Sequence, residues 1–112
     1  MKTVPHLRLR GKTLLRRAYA PGELDDLLES LSSKHEMIYV SDEDGIERNK
    51  PQLDLARGIC DEIPTMYEAG VRFAPNVIDV IIAGAEKAVV GTATLADLEE
   101  LRGAFKLSEN II

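Results

Sequence analysis

Residues 63–94, IPTMYEAGVRFAPNVIDVIIAGAEKAVVGTAT, hold two copies of one pattern: a short apolar run, a turn containing glycine, then a segment that reads as helix or helix start. Ile63 to Glu68 reads as a buried strand entering Ala69-Gly70-Val71-Arg72, and Pro75 opens a helix that ends near Gly84. Lys87 to Val90 reads as the next strand, running into Gly91-Thr92, with Thr94 as the cap of a last helix carrying Leu95, Leu98, Leu101 and Phe105. Strand, turn and helix in repeated alternation predict parallel strands joined by helical crossovers.

The same unit extends toward the N-terminus. Pro51 opens a helix to about Glu62, and ahead of it Glu36 to Ser41, containing Met-Ile-Tyr-Val, predicts a strand ending in an acidic loop, Asp42, Glu43 and Asp44, closed by Gly45. The segment ELDDLLESL after Pro21-Gly22 places Leu24, Leu27, Leu28 and Leu31 on one stripe of a helix, with carboxylates at the positive end of its dipole. Residues 3–9 predict the first strand, Arg10-Gly11-Lys12 a turn, and Thr13 to Arg17 a second extended piece forming a hairpin. The expected fold is therefore α/β, a (βα)4 half-barrel of parallel strands in the order β-α-β-α-β-α-β-α with a small hairpin after the first, in a single domain over 1–112. Its strands read as continuously apolar and so as buried on both faces. Residues 109–112, Glu-Asn-Ile-Ile, look like the opening of a fifth strand.

Composition removes several function classes. A net charge of −5 argues against a nucleic-acid binder, which needs a dense basic surface. The basic cluster Arg8, Arg10, Lys12, Arg16 and Arg17 reads as a solvated hairpin. No run approaches the roughly 20 apolar residues of a bilayer span, and no leader pattern opens the chain, so a cytoplasmic protein without membrane contact is expected. Cys60 falls on the apolar stripe of its helix, with Leu53, Ala56, Ile59 and Ile63, and reads as a small packed hydrophobe. His6 and His35 lack metal-ligand spacing with each other or with Cys60, and neither a metal nor a cofactor is expected.

The two glycine turns are candidate phosphate cradles, because glycine lets backbone N–H groups approach an anion and a helix start adds partial positive charge. With the acidic strand end and the helix spacing, the stretch IYVSDEDGIERNKPQLDLARGICDEIPTMYEAGVRFAPNVIDVIIAGAEKAVVGTATL resembles the N-terminal half of the HisA/HisF family of histidine-biosynthesis barrels, above all archaeal HisA-related proteins of unassigned role. The resemblance runs from about Ile38 to Leu107 and aligns more weakly from Val4 to Leu15. It implies an active face at the C-terminal ends of the strands. It also implies a phosphate half-site at Gly70, Val71, Arg72, Gly91 and Thr92, where the family has Gly-Gly-Ile/Val-Arg and Gly-Thr; Ala69 replaces the first glycine.

The family isomerase uses an Asp in the pattern Ile-Asp-Leu on strand one. Here that stretch is Leu7-Arg8-Leu9, and a guanidinium is no general base. The carboxylates left for catalysis are Asp42, Asp44 and Glu68, for which pairing with Arg8 is expected. The reading is a HisA-like half-barrel that self-assembles and binds a sugar phosphate without family isomerase activity. Its alternative is a sugar-phosphate isomerase or lyase active only as an assembled barrel, so whether the chain is an enzyme stays open. Four strands leave two edges and an inner face uncovered. The expected partners are accordingly a second copy, in a homodimer or higher oligomer joined through the sheet edges, or a C-terminal half-barrel, together with a phosphorylated small molecule.

Overall fold

The computed structural model describes residues 4–10, 13–14, 17–18, 23–91 and 93–112. Among them six strands form one sheet: β1 (His6–Arg10), β2 (Thr13–Leu14), β3 (Arg17–Ala18), β4 (Ile38–Asp42), β5 (Thr65–Glu68) and β6 (Lys87–Val89). The spatial order is β3-β2-β1-β4-β5-β6. The four strands β1, β4, β5 and β6 are mutually parallel, and β2 and β3 add antiparallel beside β1. Helices α1 (Glu23–Lys34), α3 (Leu53–Glu62) and α4 (Asn76–Ile82) make the crossovers, and α5 (Leu98–Leu107) follows β6. This is the α/β alternation of a (βα)4 half-barrel.

The core lies on one side of the sheet. Leu7, Leu9, Ile38, Val40, Tyr67 and Ala88 point into a cluster with Leu24 and Leu28 of α1, Ala56 and Ile59 of α3, Val77 and Val80 of α4 and Ala104 of α5. Burying the leucines, isoleucines and valines among them supplies about 1.5–3 kcal/mol each, and this fixes which face of every strand turns toward the helices.

Strands β1 and β5 are not buried on both faces as expected. Exposed and buried residues alternate in His6-Leu7-Arg8-Leu9-Arg10, and half-buried and buried ones in Thr65-Met66-Tyr67-Glu68. Short strands such as MIYV and KAV offer too few residues for a period of two to stand out.

Two further differences from expectation have local causes. The acidic stretch after β4 is a helix, α2 (Glu43–Arg48). Asp42 caps it by accepting from Gly45 N at 3.0 Å, Glu43 and Asp44 sit in its first turn, and Asn49 closes it in the left-handed conformation. The last helix is capped by Asp97, whose carboxylate accepts from Glu100 N at 3.2 Å. Thr94 instead donates to the carbonyls of Val71 and Gly91, and Leu95 precedes the helix.

Residues 110–112 lie alongside β6 through a single bridge. Ile111 forms a parallel bridge with Ala88, supported by Ala88 N to Asn110 O (2.8 Å), Ile112 N to Ala88 O (3.0 Å) and Val90 N to Ile112 O (3.0 Å). The outer edge of β6 is therefore occupied by the chain itself. No helix among the described residues is long and apolar enough to cross a membrane.

Candidate functional site

Register places two rows of side chains on the face without helices. His6, Tyr39, Met66 and Lys87 form one, and Arg8, Ser41, Glu68 and Val89 the next toward the strands' C-terminal ends. Together with Val4 and with Glu43, Ile46 and Glu47 of α2, residues from these rows line a hollow of about 600 Å³. Its wall beside α2 is fixed by Arg10, which pairs with Glu43 at 2.9 Å and with Glu47.

The two rows are tied by a hydrogen-bond chain. His6 Nε2 lies 2.7 Å from Ser41 Oγ, Ser41 Oγ lies 3.5 Å from Glu68 Oε1, and Tyr39 donates to Glu68 Oε2 at 3.1 Å. Ser41 has one proton to give. When it goes to Glu68, His6 must donate its own Nε2–H to Ser41. The imidazole also meets Tyr39 edge to face, ring centres 4.9 Å apart. The arrangement offers a hydroxyl-rich molecule an acceptor at Glu68, a donor-acceptor pair at Ser41 and His6, and a cation at Arg8. Arg8 has no ion-pair partner among the described residues, in contrast to the expected bridge with Asp42, Asp44 or Glu68.

Burial, then the charge and hydrogen bond of Glu68, push Tyr39 from the ordinary 10.0 up to about 12. A phenol bound more tightly to its proton when folded favours the native state fully below about pH 10, and that contribution is lost as the pH rises toward 12. A near-ultraviolet titration with Tyr39→Phe as reference should show this ionisation near pH 12. Glu68→Gln should bring it only part of the way back, because burial is the larger cause. A midpoint near 10 in the difference between the unmodified protein and Tyr39→Phe would contradict the placement of Tyr39.

The three candidate catalytic carboxylates are not brought together. Asp42 is completely buried on the helix side, where it accepts from Gly45 N, Gln52 N (2.6 Å) and Tyr67 Oη (2.7 Å). Asp44 lies in the first turn of α2 and accepts from Gln52 Nε2 at 2.9 Å. Glu68 alone faces the hollow. Its neighbours His6, Tyr39 and Ser41 escaped the sequence reading, although the alternation in HLRLR and IYVSD carried the signal.

Of the candidate phosphate residues, Thr92 lies outside the described residues. Gly70 adopts φ +73° and packs backbone to backbone on Gly45, leaving no room for a Cβ at either position. Val71 is buried, and Arg72 turns its guanidinium onto the carbonyls of Gly45 (2.7 Å), Ile46 (2.6 Å) and Gly70. The turns at Gly70 and Gly91 adjoin, joined by Thr94 Oγ to Val71 O (3.0 Å) and Ala96 N to Arg72 O (2.9 Å).

Amides that follow the two glycines are already used, however. Arg72 N and Phe73 N donate to Asn76 Oδ1, Ala74 N to Glu100 Oε1, and Thr94 N and Leu95 N to Gly91 O. A phosphate reaching Ala74 N would have to displace the Glu100 carboxylate.

Cys60 is half-buried in α3, and burial pushes its thiol up, which suits packing better than nucleophilic attack. Among the described residues no group of three or more His, Cys, Asp or Glu is placed to hold a metal ion. No protein-family model matches the chain, and no curated protein matches it either.

Proposed function

We propose that the chain is a HisA-like half-barrel that takes a small phosphorylated sugar on the open face of its sheet, as one part of a two-part assembly and without the family's isomerase chemistry. The observation that carries this reading is the hollow itself, which sets Arg8, Ser41, His6 and Glu68 among the apolar walls of Val4, Ile46 and Met66. Its volume falls in the range of small-molecule sites, roughly 300–1,000 Å³. A barrel interior filled only by packing would present branched apolar side chains at these positions. The phosphate is assigned to Arg8, whose planar fork suits it, and the sugar hydroxyls to Glu68, Ser41 and His6. The glycine turns are the less favoured seat because the Arg72 guanidinium is engaged by backbone carbonyls and the amides of residues 72–74 already have acceptors.

Thermal melting with ribose 5-phosphate, ribose and inorganic phosphate tests the assignment. At tenfold its dissociation constant a ligand adds about 1.4 kcal/mol, a rise of about 5 °C in Tm for a domain of this size. Ribose 5-phosphate is expected to give that rise, ribose and inorganic phosphate less, and Arg8→Ala none. No rise at millimolar ribose 5-phosphate, or a rise that Arg8→Ala leaves intact, would overturn the reading.

The chain of hydrogen bonds from His6 through Ser41 to Glu68 favours one second reading, a sugar-phosphate isomerase or lyase in the assembled state. On that reading Glu68→Gln abolishes turnover while ribose 5-phosphate still raises Tm.

A further inference from the structure

Ser41 sits at the centre of the face without helices. Its register partners are Arg8 on β1 and Glu68 on β5, so a cation and a carboxylate flank it, each one strand spacing or roughly 4.8 Å away along the sheet. The residue is only 7% exposed, but it lines the hollow of about 600 Å³, and a molecule in the hollow meets it there.

A serine hydroxyl is a weak nucleophile until a base takes its proton. Two acceptors compete for the proton of Ser41. Glu68 Oε1 lies 3.5 Å away, at the outer limit of a hydrogen bond, whereas His6 Nε2 lies 2.7 Å away, within the reach that proton transfer needs. With the imidazole protonated at Nδ1, Nε2 is the acceptor and the Ser41 proton points to it. The edge-to-face contact with Tyr39, at 83° between the rings, holds the imidazole plane. Arg8 lines the same hollow and pairs in register with Ser41, so negative charge developing on a carbonyl oxygen beside Ser41 meets a guanidinium.

We infer that Ser41 is a nucleophile with His6 as its general base, and that the hollow hydrolyses small carboxylic esters, an activity separate from the binding of a sugar phosphate. Ser41 Oγ attacks the carbonyl carbon as its proton passes to His6 Nε2, and the carbonyl oxygen becomes an oxyanion beside Arg8. The bond to the alcohol oxygen then breaks, and the alcohol leaves with the proton from His6. Water attacks the acyl-Ser41 ester and gives a proton to His6; the acid departs as Ser41 Oγ takes that proton back. Val4, Ile46 and Met66 wall the hollow and receive the apolar part of the ester. Among the described residues no carboxylate bonds the His6 ring, so the pair works without the third group that orients the base of a triad, and turnover is expected to be slow.

A fluorophosphonate, from which the serine oxygen displaces fluoride, tests the nucleophile on the unmodified protein. Peptide mass spectrometry is expected to place the adduct on Ser41 when the protein is folded, and to find none there after unfolding in urea. Hydrolysis of p-nitrophenyl acetate should continue over many turnovers, and Ser41→Ala and His6→Gln should each lower its rate by about 100-fold or to the background level, with circular dichroism unchanged. The adduct is read without any substitution, so it decides the matter even where a variant fails to fold. Absence of an adduct at Ser41 in the folded protein, or turnover that survives Ser41→Ala, would overturn the inference, and neither result bears on the binding of ribose 5-phosphate.

Discussion

Replacing Asp42 with alanine is expected to lower stability by about 3–5 kcal/mol, since it removes three hydrogen bonds from one buried carboxylate and strands their donors. Gly45 N loses its cap, Gln52 N loses its acceptor ahead of α3, and the Tyr67 hydroxyl is left without a partner in the core. Burial, then the charge of Asp42, already push Tyr67 far above the usual phenol range, and its hydroxyl donates to the carboxylate. Tyr67→Phe removes only one of the three bonds and should cost about 1–2 kcal/mol. Urea titration of the two variants gives the comparison. A loss below about 1 kcal/mol for Asp42→Ala would show that α2 and the start of α3 do not depend on this carboxylate.

The second large effect belongs to Gly45. A Cβ there overlaps the carbonyl oxygen of Ala69 and comes within 3.1 Å of Pro51 Cβ. The neighbour is backbone, which has no rotamer to change, and the facing residue Gly70 is itself fixed at positive φ. Gly45→Ala is therefore expected to cost about 3 kcal/mol, at the upper end for overpacking and opposite in sign to the usual gain from replacing a helical glycine. Gly58, in α3 with nothing within 4 Å of a Cβ, is the control and should gain up to about 1 kcal/mol on the same change. Equal responses at the two positions, read by chemical denaturation, would contradict the close approach of α2 to the turn after β5.

These two sites show where sequence carried the fold and where it did not. The strand and helix alternation from Ile63 to Thr94 was legible because each glycine turn separates segments of different period, and α1 because four leucines fall on one stripe. Helix α2 was not legible. Its six residues include a glycine and three acidic groups, a composition that fits a loop equally well, and it forms because Asp42 caps it and Gly45 fits against Gly70. The second is a contact between residues 25 apart in the chain and leaves no local pattern.

The candidate site divides in the same way. Glu68 was singled out by its place at a strand end, but Asp42 has the same local setting and turns to the other face, toward Tyr67. Parity along the strand separates the two, and it becomes legible only when Leu7 and Leu9 are seen to define the helix side. The turn at Gly70 looked like an anion cradle because sequence shows the glycine and not the acceptors that take up the amides just after it. Asn76 and Glu100 supply those acceptors, one from the helix that follows and one from the next helix along.

Where the ligand sits is thus the claim on which the functional account depends. A titration of the isotopically labelled protein with ribose 5-phosphate, followed by backbone and imidazole resonances, tests it most directly. The account predicts shifts concentrated at His6, Arg8, Ser41 and Glu68, with residues 72–74 and 94–96 unmoved. Shifts centred on those turns would return the phosphate to the glycine cradles and displace Glu100, and an absence of shifts at millimolar ligand would contradict a sugar-phosphate site on this chain.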